Sequence, residues 1–146
     1  MHLTELIVAR RHATRRVSPD PLVAALAAMD ARERVSGVLM LSGRLPCGPL
    51  GISVARLQEH VRRHPPPRVG PGLSILHATE GLKAIRGRRG MGAEKRLAKA
   101  EGLFQSGTPD DADFLLKLAQ GSLRAPSFDR LVVQAIASVG DLEPAL

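Results

Sequence analysis

Residues 114–138 read FLLKLAQGSLRAPSFDRLVVQAIAS, and this stretch decides the fold. Phe114, Leu115, Leu118 and Ala119 recur at helical spacing and define one apolar face. Gln120-Gly121-Ser122 ends that helix, because glycine tolerates the left-handed conformation a helix end needs. Leu123 returns toward the core, while Ser122 and Arg124 point outward. Pro126 and Ser127 start a second helix whose apolar face is Phe128, Leu131, Val132, Ala135, Ile136 and Val139. The turn therefore offers solvent a backbone N–H, a hydroxyl and a guanidinium. Those groups suit a phosphate oxygen.

A similar pattern lies upstream. Residues 38–46, VLMLSGRLP, again give an apolar helix end, a glycine, a basic residue and a leucine. Gly43 precedes Leu45 by two positions and Leu50 by seven, as Gly121 precedes Leu123 and Phe128. The expectation is an all-α compact bundle of about eight short helices carrying two pseudo-repeated helical hairpins. Any helical hairpin needs a glycine and a leucine near its turn, so spacing alone leaves a purely structural explanation open.

Composition agrees. The 146 residues suit one domain with a proper core. The only aromatics are three Phe, so the core must be aliphatic, which favours packed helices over a β-sandwich. Twenty-one basic against 14 acidic residues give a net charge of +7. That excess points to a polyanion, most simply nucleic acid, although a charged solubility surface is the plainer alternative. The single cysteine, Cys47, excludes an internal disulfide and a cysteine-based zinc site. With no signal peptide and no transmembrane run, a cytoplasmic location is expected.

The remaining helices follow from caps and apolar spacing. Residues 3–16 form the first, with Leu3, Leu6, Ile7 and Ala13 inward and Arg10, Arg11, Arg15 and Arg16 near its end. Asp20 caps a second, running through Leu22, Val23, Leu26 and Met29, and Asp30 caps a third that carries Val35, Val38, Leu39 and Leu41 into the Gly43 turn. A fourth spans 51–64 with apolar Ile52, Val54 and Leu57; its His60 and His64, at i and i+4, lack an evident third metal ligand. Pro65-Pro66-Pro67 is a stiff spacer. Ser74 caps a fifth helix over 75–85, and a sixth covers 93–104. Thr108-Pro109-Asp110-Asp111 opens the seventh, its acids serving the helix start. After Gly140 a short polar tail is expected.

The most basic segment is residues 83–99. Arg86, Arg88 and Arg89 alternate with Gly87, Gly90 and Gly92, followed by Lys95 and Arg96 at a helix start. Exposed N–H groups beside cations make an anion-binding arrangement. It is not a nucleotide loop, since G-x-x-x-x-G-K-[ST] is missing and no strand precedes it. No cofactor is called for, and no arrangement of nucleophile and base supports catalysis.

Taken together, Gly102-Leu103-Phe104, Ala112-Asp113-Phe114-Leu115 and Gly121-Ser122-Leu123-Arg124 resemble the N-terminal DNA-binding domain of ATP-dependent DNA ligases, where the run is similar to LLxxLF…EExFLxRLLxGxLRxG. Residues 41–52 resemble the LSGELPQxxIGVG of bacterial members, and the loop before Ala93 falls where that family has GxGSxxxR. The resemblance covers most of the chain in order. It implies an all-helical domain that wraps duplex DNA around a nick through minor-groove and phosphate contacts. The contact residues it implies are Gly43, Arg44, Gly92, Lys95, Arg96, Gly121, Ser122 and Arg124; Arg88 and Arg89 of the basic loop and Ser127 complete the expected DNA-binding set. Three positions depart: Pro126 replaces a glycine, Ala93 a serine and Cys47 a glutamine. The K-x-D-G motif of the family's separate nucleotidyltransferase domain is absent, so residues 1–146 are expected to be a single binding domain acting with a catalytic domain elsewhere. Two other classes stay open. One is a helical module that meets an acidic protein partner. The other is a helix-turn-helix regulator, for which the helix after Gly121 offers only Arg130 and Gln134.

Overall fold

In the computed structural model, which describes residues 1–142 and side chains through residue 140, eight α-helices follow one another. They are α1 (Leu3–Arg16), α2 (Asp20–Ala28), α3 (Ala31–Leu41), α4 (Val54–Arg63), α5 (Ile75–Arg86), α6 (Ala93–Gln105), α7 (Pro109–Gln120) and α8 (Pro126–Leu142). The described residues hold no β-strand; an isolated bridge joins His2 to Ser74. α1 packs against α2, α3 and α7, α8 lies along α2, α5 pairs with α6, and α4 rests on α6 and α7. One aliphatic core joins these layers, with Leu3, Leu6, Leu22, Leu41, Leu82 and Leu115 among its most buried members. Burying a leucine side chain contributes about 1.5–3 kcal/mol, which lets so aromatic-poor a chain fold.

Most starts are where cap chemistry places them. Asp30 and Glu33 form a reciprocal capping box on α3, and Thr108 and Asp111 form another on α7. Ser74 accepts from the His77 N–H. Four details differ from the sequence reading. Asp20 is the first helical residue rather than the cap; its N–H donates to Ser18 Oγ, and Pro19 holds the N-cap position. α4 begins at Val54, capped by Ser53, and residues 51–53 stay outside it. α8 runs two residues past Gly140, and the rest of the expected tail lies outside the described residues. Finally, Ile136 of the apolar face expected on α8 is exposed, as is Val35 on α3.

The exposure of Val35 has a packing cause. The buried face of α3 is Ser36, Gly37, Met40 and Leu41, not the row through Val35. A Cβ on Gly37 would sit 2.6 Å from Met29 Sδ, so the helix approaches the core through its smallest residues. Apolar periodicity rewards large side chains and overlooks such a close approach.

Candidate nucleic-acid interface

Both glycine turns are Schellman caps. After α7, the Ser122 N–H donates to Lys117 O (3.3 Å) and the Gly121 N–H to Leu118 O (3.1 Å). After α3, the Arg44 N–H donates to Leu39 O (2.9 Å) and the Gly43 N–H to Met40 O (3.0 Å). These are the 6→1 and 5→2 bonds that satisfy a helix's last carbonyls. The glycines adopt φ of 74° and 78°, where a Cβ would be strained. The repeat resides in the turns. What leaves them differs: α8 starts at Pro126, whereas residues 44–53 form a long loop before α4.

The two turns are also in contact. A Cβ on Gly43 would lie 2.6 Å from the Leu123 carbonyl carbon and 2.7 Å from Arg124 N, so backbone meets backbone there. Arg10, from α1, ties both turns. Its Nη2 donates to Leu123 O (2.7 Å), its Nε donates to Leu41 O (3.3 Å), and its guanidinium lies 4.4 Å from the centre of the Phe128 ring. Burial pulls the Arg10 pKa below its ordinary value. The residue still stays charged, because an arginine does not deprotonate in a protein. Sequence reading placed Arg10 with its neighbours at a helix end. Its inward position follows from sharing a helix face with Leu3, Leu6 and Ala13, a weak signal for a charged residue.

The edge continues beyond the turns. A groove of about 270 Å³ runs between Leu45 and Pro49 on one side and Ala119, Gly121 and Arg124 on the other. Cys47, between Leu45 and Pro49, is buried, its thiol donating to Gly48 O and its pKa raised by burial. The Cys47 carbonyl accepts from Arg86 Nη1. Arg86 opens the glycine-rich loop, and Gly51 abuts the Arg96 guanidinium. The contacts thus link the α7–α8 turn, the Gly43 turn, the 45–51 loop and the 87–92 loop into one edge.

Most of the expected contact residues lie along it with exposed side chains: Arg44, Arg88, Arg89, Lys95, Arg124 and Ser127. Gly92 is the N-cap of α6 and supplies no side-chain cap, and a Cβ there would meet nothing within 4 Å. Arg44 shares its charge with Asp129 at 3.5 Å. The Ser122 hydroxyl donates back to Lys117 O (3.3 Å), completing its own turn. Arg96 does not face solvent. It is 7% exposed and all its hydrogen bonds go to backbone carbonyls, so its place in an exposed contact set is corrected. Its position at a helix start in a basic loop gave no hint of which way the side chain turns.

Some other cations are paired with acids away from this edge. On α4, Arg62 and Arg63 both hold Glu59, bringing its carboxyl down to about 2. His60 and His64 lie with ring centres 4.9 Å apart, and His60 Nε2 is 4.0 Å from Glu101. Among the described residues no group of three His, Cys, Asp or Glu could hold a metal ion. No helix among them is long and apolar enough to cross a membrane.

Among curated proteins, a probable DNA ligase of Anaeromyxobacter dehalogenans (strain 2CP-C) is 32% identical over 126 residues, covering 85% of this chain and 24% of that protein. A probable DNA ligase of Sorangium cellulosum (strain So ce56) is 34% identical over 126 residues, 85% of this chain and 23% of its own length. DNA ligase B of Mycobacterium tuberculosis (strain CDC 1551 / Oshkosh) is 32% identical over 109 residues, 74% of this chain and 21% of its own. The chain is similar to part of a DNA ligase. It spans about a quarter of the length of these relatives. No family model matches the chain, and no solved structure matches it.

Proposed function

We propose that this chain is the DNA-binding domain of an ATP-dependent DNA ligase system and grips duplex DNA, independent of sequence, through phosphate contacts along the edge described above. The observation that carries the reading is the backbone contact between the Gly43 turn and the Leu123–Arg124 segment. It converts two separate turns into one rigid ledge, flanked by exposed Arg44 and Arg124 and continued by Arg88, Arg89 and Lys95. The turn N–H groups of Gly43, Arg44, Gly121, Ser122 and Arg124 are held by carbonyls within the fold, and the Ser122 hydroxyl bonds back to Lys117 O. The expected backbone and hydroxyl donors therefore give way to the guanidiniums of Arg44 and Arg124, carried on a backbone that loses little entropy on binding. Such contacts set position on the duplex without reading bases. Similarity to proteins named DNA ligases over most of the chain supports the same ligand.

Fluorescence anisotropy with a labelled duplex tests it. Binding should appear at low salt and weaken as salt rises, since each neutralised phosphate releases counterions. No binding at low salt would remove DNA as the ligand and favour an acidic protein partner.

In this reading the chain positions DNA and does no chemistry. Lys83, Lys95, Lys99 and Lys117 are the lysines, and none is followed by the x-Asp-Gly of an adenylation motif. Incubation with labelled ATP and magnesium should therefore leave the chain unlabelled on a denaturing gel. A labelled band at its mass would assign it catalysis of its own.

A further inference from the structure

We propose that Arg96 is a positioning residue for the DNA-facing edge: it locks the glycine-rich loop to the 45–51 loop and does not itself touch phosphate. The inference rests on the reading above for its consequence, but its geometry stands alone. Arg96 Nε donates to Met91 O (3.1 Å), Nη2 to Arg88 O (3.2 Å), and Nη1 to Leu50 O (3.1 Å), Ile85 O (2.8 Å) and Arg86 O. The acceptors come from three places: the last turn of α5, the glycine-rich loop and the loop before α4. One side chain thus joins segments that no helix connects.

The choice of arginine follows from this geometry. The last carbonyls of α5 have no intrahelical partner, and the end of a helix favours a cation. A guanidinium offers five donors in a fixed plane and can serve several carbonyls at once, where an ammonium offers three from one atom. Gly51 closes over this plane; a Cβ there would lie 2.9 Å from Arg96 Cζ. Arg86 adds a parallel tie through the Cys47 carbonyl. Arg88 and Arg89 project from the backbone that Arg96 holds, beside a Gly90 with φ of 87° and open space around it. Arg96 is the α6 side chain that ties that loop to Leu50, and without it the loop's arginines would meet DNA from a mobile segment.

The test uses Arg96→Met in the full chain, with two readouts. In hydrogen exchange, residues 47–51 and 86–92 should exchange faster than in the parent while the α7–α8 turn is unchanged. In duplex binding by anisotropy, Arg96→Met should weaken affinity about tenfold through lost pre-organisation. Arg88→Ala should then cost little further in the Arg96→Met background, while the effect of Arg124→Ala stays the same, since coupled residues fail to add and distant ones do not. Unchanged exchange, with effects that add at Arg88 and a salt slope lower by about 0.9, would overturn the proposal and make Arg96 a direct phosphate contact. If the parent chain fails to bind duplex, the DNA reading falls and exchange alone decides the positioning role. Should Arg96→Met not fold, Arg96→Lys serves in its place. It keeps the charge and should still loosen both loops, and full parental behaviour in that variant would overturn the proposal.

Discussion

Gly43 and Gly121 occupy matching places in the sequence and share one backbone conformation, yet their surroundings differ. A Cβ on Gly121 would find only Arg124 Nε, at 4.0 Å, whereas one on Gly43 would run into the Leu123–Arg124 backbone. Gly121→Ala should therefore cost about 1–2 kcal/mol of stability, the strain of a left-handed alanine. Gly43→Ala adds an overlap with backbone that cannot rotate away, and should cost about 3 kcal/mol or more. Urea unfolding of both variants measures the difference, and equal losses would mean the turns do not press on each other. The pattern Gly-x-Leu made both glycines legible as turn residues. It could not show the contact, because the partner lies far along the chain and no periodicity links the two. Arg96 was hidden for a related reason. Its neighbours are solvent-facing cations, and burial of an arginine among carbonyls depends on loop paths that sequence spacing does not encode.

Helix starts show how far cap chemistry reaches. Thr108-Pro109-Asp110-Asp111 announces α7, and the structure supplies the expected box. As helix-start acids Asp110 and Asp111 look alike in the sequence, but Asp111 is fully buried and Asp110 is exposed. Its Oδ2 accepts from Thr108 N (3.1 Å) and from Leu73 N (3.0 Å) in the segment before α5. A Cβ on Gly107 would come within 3.2 Å of Asp111 Cβ, so the approach of this turn is close. The carboxylate is therefore both a cap and a bridge between distant segments. Asp111→Ala would strand two backbone donors, one of them deep in the core, and should cost about 2–4 kcal/mol. Asp110→Ala removes only a favourable charge near the helix start and should cost about 0.5 kcal/mol. Thermal or urea melts of the two variants check this, and similar losses would show that Asp111 acts only through the helix dipole.

At the scale of the whole molecule, the net charge of +7 suggests a polyanion but does not say where it would sit. Five exposed cations lie along the edge, Arg44, Arg88, Arg89 and Arg124 on the linked loops and Lys95 in the first turn of α6. Others lie away from them. Arg32 is in the first turn of α3, at the opposite end of that helix from the Gly43 turn, Arg62 is bound to Glu59, and Arg68 is in the segment between α4 and α5. If the edge is the DNA face, the slope of log affinity against log salt reflects the edge cations, roughly −4 to −5 at about 0.9 per phosphate. Replacing Arg88, Arg89 and Arg124 together by alanine should bring it toward about −2. Replacing Arg32, Arg62 and Arg68 by alanine removes the same formal charge and should leave the slope almost unchanged. Anisotropy titrations of both triple variants across a range of salt decide between a localised interface and a diffuse field. Equal flattening of the slope in both would show that the protein attracts DNA only by its overall charge, and that the contact between the two turns has no part in holding it.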